Sequence, residues 1–148
     1  MATPSTTPAT SLQLKRTFKA ARQRVFQAWT EPEQMRHWAA PSDDFEVTAE
    51  SDLRVGGKYR IQMKHKSGNT HVAHGEFREV QPPERLVYTW SWEDGSVTDT
   101  LVTVEFRDLG ASTEIVLTHE RFVSTDWRDK HTEGWTGCLM RLEKLVAG

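Results

Sequence analysis

The chain has 148 residues, of which 36% are hydrophobic and 27% charged, and its formal net charge is -2. That balance fits one folded domain and excludes a largely disordered protein. With no long run of Lys and Arg, it also excludes a nucleic-acid-binding face. No apolar stretch approaches the roughly 20 residues that span a bilayer. The single cysteine, Cys138, forms no intramolecular disulfide, and the first residues lack a secretory pattern, so a cytoplasmic protein is expected. Six tryptophans exceed what a core of this size needs and point to an aromatic-lined pocket.

Residues Met1 to Thr10 are Pro, Thr, Ser and Ala with nothing to bury, and read as a disordered tail preceding one domain over 11–148. Leu12, Leu14, Arg16 and Phe18 share one parity, as in a first strand. From Ala21 the period changes: Val25, Phe26 and Trp29 lie on one face of a short helix that ends before Pro32. Pro32 then opens a second short helix over Glu33 to Trp38.

Beyond Pro41 the period returns to two. Phe45, Val47 and Ala49 make one strand, a turn at Val55-Gly56-Gly57 follows, and Tyr59, Ile61 and Met63 make the next. After Ser67-Gly68-Asn69 comes a strand from His71 to Gln81, where Gly75 and the broken parity between Phe77 and Val80 predict a bulge. Three more strands carry Leu86, Tyr88, Trp90 and Trp92, then Val102, Val104 and Phe106, then Ile115, Leu117 and His119. The opposite parity holds Glu46, Glu50, Arg60, Lys64, Glu105 and Arg107, so one sheet face is expected to meet water.

Thr125 to Val146 reads as one long amphipathic helix. Its inward stripe holds Trp127, His131, Gly134, Trp135, Cys138, Leu139, Leu142, Leu145 and Val146. The order β-α-α-β6-α predicts an α+β fold, a curved antiparallel sheet wrapped around a long C-terminal helix with a cavity between them.

Several stretches, in this order, resemble the helix-grip fold of the START and Bet v allergen superfamily (SRPBCC), and within it the branch named after the activator of heat-shock-protein-90 ATPase. They are Val25-Phe26-Gln27-Ala28-Trp29-Thr30-Glu31-Pro32-Glu33 with Trp38, Asp52-Leu53-Arg54-Val55-Gly56-Gly57-Lys58-Tyr59-Arg60, Glu79 through Trp90 around Pro82-Pro83, and Arg128-Asp129-Lys130-His131 with Glu133-Gly134-Trp135. The resemblance implies an apolar small molecule held between sheet and helix, as in many relatives. It also implies two alternatives, an enzyme of the cyclase or isomerase type or a module that acts on a chaperone.

The residues expected to line the cavity are Tyr59, Met63, Tyr88, Trp90, Leu117 and His119 on the sheet and Trp127, His131, Trp135 and Cys138 on the helix, with Trp38 beside the loop at the mouth. His119 and His131 are the candidate acid-base groups for the enzymatic alternative, with Tyr59 or Tyr88 donating to an enolate. The simpler alternative for each histidine is a buried imidazole hydrogen-bonded inside the fold. No metal site is expected, since His71 and His74 are three apart on a strand and point to opposite faces, and no cofactor is expected either. Cys138 reads as a small buried residue. The expected partner is a small apolar or aromatic molecule, with no nucleic acid and no membrane insertion, in a monomer or a homodimer paired through an edge strand.

Overall fold

A computed structural model describes residues 10–147. Of the expected tail, only Thr10 falls within that range, and its carbonyl accepts the Phe122 N–H at 3.1 Å. The elements are β1 (Leu12–Phe18), α1 (Arg22–Thr30), α2 (Pro32–Met35), β2 (Phe45–Ser51), β3 (Lys58–His65), β4 (Thr70–Gln81), β5 (Arg85–Trp92), β6 (Thr100–Asp108), β7 (Thr113–Glu120) and α3 (Thr125–Ala147). They form one antiparallel sheet in the order β1-β7-β6-β5-β4-β3-β2. Strands β2 to β7 follow one another as a meander, and β1 pairs with β7 from Leu12↔His119 to Phe18↔Thr113.

The second helix is shorter than its apolar spacing predicts. Only Pro32–Met35 is helical, and the chain then tightens into turns in which Trp38 N bonds Met35 O at 3.2 Å. The Trp38 indole N–H donates to Ala28 O of α1 at 2.8 Å, which anchors the segment to α1.

Strand β4 bends where its sequence is irregular. Its pairing with β5 lapses between His74↔Ser91 and Phe77↔Tyr88, and the register then shifts between Phe77 and Glu79. Gly75 makes the first irregularity possible: a Cβ there would lie 2.0 Å from Thr89 O. Strand β5 can therefore approach more closely than a side chain would permit. The Tyr59 side chain, on the residue paired with Gly75, donates its hydroxyl to that same Thr89 carbonyl at 2.5 Å.

The outer face of the sheet is not uniformly wet. Glu46, Glu50, Arg60, Lys64 and Arg107 are exposed, but Val87, Thr89 and Ser91 of β5 are buried on the same side as Leu86, Tyr88 and Trp90 are on the other. Strand β5 is the middle of the seven. Ion pairs flank it, Arg85 with Glu79 at 3.1 Å and with Glu105 at 2.8 Å, and Arg60 with Glu93 at 3.4 Å.

Helix α3 divides into two halves. Leu139, Leu142 and Val146 join the main apolar cluster with Leu12, Phe18, Val102, Val104, Phe106, Ile115 and Leu117. Arg16 of β1 ties that half down through Glu143 at 2.6 Å. The N-terminal half, with Trp127, His131 and Trp135, spans open space instead.

Candidate functional site

Between the N-terminal half of α3 and the strands β3 to β5 lies a cavity of about 340 Å³. All six tryptophans line it: Trp29, Trp38, Trp90, Trp92, Trp127 and Trp135. Its closed end is formed by residues that are nearly inaccessible, among them Trp29, Phe77, Leu86, Tyr88 and Cys138. The exposed lining residues Pro41, His71, Asp94, Ser96 and Lys130 mark the open end. Asp94 and Lys130 are the charged side chains of the lining among the described residues, and both stand at that mouth.

Four of the indoles are held by their N–H groups, and neighbouring rings pack on one another. Trp29 donates to the Tyr88 hydroxyl at 3.2 Å and stacks on Trp135 with ring centroids 6.0 Å apart. Trp38 packs on Trp29 at 4.7 Å, and Trp90 on Trp135 at 5.3 Å. Rings held in this way offer flat apolar walls at little further entropic cost.

Two more indoles end on histidines, and this decides what those histidines can do. Trp135 donates to His119 Nδ1 at 3.0 Å. His119 Nε2 lies 2.8 Å from Thr100 Oγ1, whose own proton goes to Trp90 O at 2.6 Å. Nδ1 is thus the acceptor and Nε2 carries the proton, in a neutral imidazole with both nitrogens engaged. His131 is the mirror case: Nε2 accepts the Trp92 N–H at 3.0 Å, so Nδ1 carries the proton and donates to Trp127 O at 2.8 Å.

Burial lowers the pKa of His119 well below its usual value, and the neighbouring His131 lowers it further. Burial lowers that of His131 as well, opposed by its bond to Trp127 O. The two rings sit 5.2 Å apart, edge to face, rather than on opposite walls. They form a hydrogen-bonded strut between β5, β6, β7 and α3. As a proton-moving pair they are unsuited, since protonating either ring would displace an indole N–H.

Among the residues expected in the lining, Trp38, Tyr59, Met63, Tyr88, Trp90, Trp127, His131, Trp135 and Cys138 face the cavity. Leu117 and His119 do not. Leu117 is fully buried in the apolar cluster, and His119 is fully buried against Trp90, Phe122, His131 and Trp135. Their parity points inward correctly, but Trp135 reaches across from α3 to cover His119. Further residues beyond that set line the cavity. Ile61 shares the parity of Tyr59 and Met63, and Leu86 and Trp92 that of Tyr88, so alternation alone could have supplied them. Trp29 read as a packing residue of α1, and nothing local signals its reach to Tyr88.

The other polar groups in the lining are subdued. Burial raises the pKa of Tyr88 far beyond its usual value, and that of Tyr59 also. The Cys138 thiol is pushed up to about 12 by burial, which leaves it protonated and unreactive. Among the described residues no three His, Cys, Asp or Glu side chains converge as a metal ion would require, and no helix is long and apolar enough to cross a membrane.

A curled antiparallel sheet gripping a long C-terminal helix is the helix-grip architecture of the SRPBCC superfamily. The family model for Activator of Hsp90 ATPase homolog 1-like protein matches residues 19–147, and the chain belongs to that family. A crystal structure of a protein from Chromobacterium violaceum superposes with a TM-score of 0.86 at 27% identity, covering 94% of this chain and 98% of that one. The AHSA1 protein from Silicibacter pomeroyi gives 0.81 at 25% identity, covering 93% and 97%. An AHSA1-like protein from Aeromonas hydrophila gives 0.78 at 23% identity, covering 93% and 92%. No curated protein matches the sequence.

Proposed function

We propose that this protein binds a small apolar or aromatic molecule in the cavity between the sheet and α3. The observation that carries the reading is Gly134. It sits inside a 23-residue helix and lines the cavity, and a Cβ there would meet nothing within 4 Å. Glycine in a helix interior costs about 1 kcal/mol relative to alanine. A chain selected only for a stable core would place a side chain there; one selected to keep a volume open would not.

The cavity size falls in the range of small-molecule sites, and aromatic walls with few polar tips are their usual composition. Because both imidazoles are held neutral by indole bonds, binding without acid-base chemistry is favoured over a cyclase or isomerase. The reading places the protein in the cytoplasm, in keeping with a single buried cysteine.

Native mass spectrometry of the protein from its own host, followed by denaturing extraction, tests this. One stoichiometric apolar compound released on denaturation is the expected result. Bare protein from the host, together with an empty thermal-shift screen of aromatic and lipid compounds, would overturn it in favour of a protein-interaction role.

A further inference from the structure

The strong hydrogen-bond donors deep in the cavity wall are spoken for with two exceptions, Trp90 Nε1 and the Tyr88 hydroxyl. Tyr59 gives its proton to Thr89 O, Trp29 to the Tyr88 oxygen, Trp38 to Ala28 O, and Trp135 to His119. The Thr30 hydroxyl donates to Phe26 O at 2.9 Å. Trp90 Nε1 is unpartnered but is sealed from the open space by the rings packed around it. Tyr88 differs from all of these. Its oxygen accepts the Trp29 N–H, and among the described residues nothing accepts its own proton.

A phenol that is almost wholly buried yet faces open volume with an unused donor is poorly accounted for by packing alone, because a buried unmet donor costs free energy. The bond from Trp29 fixes the ring and orients the free O–H away from that indole. Around it stand Cys138, which is protonated, and the rings of Tyr59, Phe77 and Trp29, with no charged group. An ionised group at this depth would be uncompensated.

We infer that the ligand carries a neutral hydrogen-bond acceptor, a carbonyl or ether oxygen on a flat aromatic or fused-ring body, at its inner end, and that the Tyr88 hydroxyl donates to it. The inference rests on the small-molecule reading above and specifies it: hydrocarbons fill the cavity without using Tyr88, and carboxylates bind poorly with the acid inward. Any charged substituent points to the mouth, where Lys130 lies 4.7 Å over the Trp127 ring.

The test uses 9-fluorenone and fluorene, two neutral tricycles of almost the same shape, of which only the first has a carbonyl. Calorimetric titration of the full chain is expected to show fluorenone binding about fivefold more tightly, the worth of one net hydrogen bond. In Tyr88→Phe that ratio falls to about one. Because Phe at this site leaves the Trp29 N–H without an acceptor, a second measurement uses the wild-type protein alone. The infrared carbonyl band of bound fluorenone is expected at lower frequency than in cyclohexane.

A wild-type ratio near one with an unshifted band would overturn the Tyr88 anchor while leaving the binder reading intact. A ratio that survives Tyr88→Phe but is lost in Cys138→Ala would overturn it in favour of the thiol. Failure of both probes to bind would count against the binder reading and the anchor together.

Discussion

Acidification should unfold this protein earlier than its carboxylates alone would require, and the reason is the strut of His119 and His131. His119 is fully buried, accepts an N–H on Nδ1 and donates from Nε2, so the folded chain holds it neutral. In the unfolded chain the same imidazole titrates near its ordinary value of about 6.5. Below that pH the unfolded state binds a proton that the folded state refuses, so stability is complete above about 6.5 and falls as pH is lowered toward the depressed folded pKa. The limiting slope for one such group is about 1.4 kcal/mol per pH unit. His131 adds to the loss in the same direction.

For a domain that is stable by about 5–15 kcal/mol, a slope of that size is measurable. The assay is urea unfolding followed by far-ultraviolet circular dichroism at pH values from 7.5 to 5.0, on the wild type and on His119→Gln. The variant is expected to be less stable at pH 7.5 and to show a shallower pH dependence. Equal stability of the wild type at both ends of the range, or an unchanged slope in the variant, would refute the neutral-strut account.

Three glycines supply further predictions. Gly75→Ala places a Cβ 2.0 Å from Thr89 O and disturbs the Tyr59 bond to that carbonyl, so it is expected to lose about 2–4 kcal/mol in denaturant unfolding; wild-type stability would contradict the close approach of β4 to β5. Gly137→Ala and Gly134→Ala form a matched pair on one helix. At Gly137 a Cβ would lie 2.3 Å from Pro41 O, so a net loss of about 1–2 kcal/mol is expected despite better helix propensity. At Gly134 a Cβ meets nothing, and a gain of up to about 1 kcal/mol is expected, read as a higher midpoint in thermal melts. If Gly134→Ala were destabilising, the glycine would be a packing requirement, and the argument from it for a kept-open cavity would fail.

Most of the fold was legible because strands in a half-wet sheet must alternate. Phe45, Val47 and Ala49 against Glu46, Thr48 and Glu50 left little choice of face, and the change of period marked both ends of the meander. The bulge in β4 was visible as a break in that alternation. Alternation presents strand β5 as one-sided and carries no sign that Val87, Thr89 and Ser91 are buried, because that burial comes from the strand's central place in the curled sheet and from ion pairs between neighbouring strands. The sequence overextends the second helix because Met35 and Trp38 keep a helical spacing even though the backbone has already tightened into turns.

The site was legible as a set of residue types and not as a network. The N-terminal half of α3 showed aromatic and imidazole side chains where its other half has leucines, and that contrast marked the cavity wall. What it could not show is which atoms meet. Trp92 finds His131 across 39 residues, and Trp29 finds Tyr88 across 59. These pairings convert two candidate acid-base residues into struts and leave Tyr88 as the free donor, and they depend on how tightly the sheet curls.

The measurement that tests the central claim most directly is fluorine NMR of the protein labelled with 5-fluorotryptophan and titrated with 9-fluorenone. Because all six tryptophans line this cavity, saturable binding there is expected to move the resonances of Trp29, Trp90 and Trp135 at its inner walls along with those of Trp92 and Trp127 at its mouth. A spectrum that does not change, or one in which only Trp92 and Trp127 respond, would contradict a ligand site between the sheet and α3.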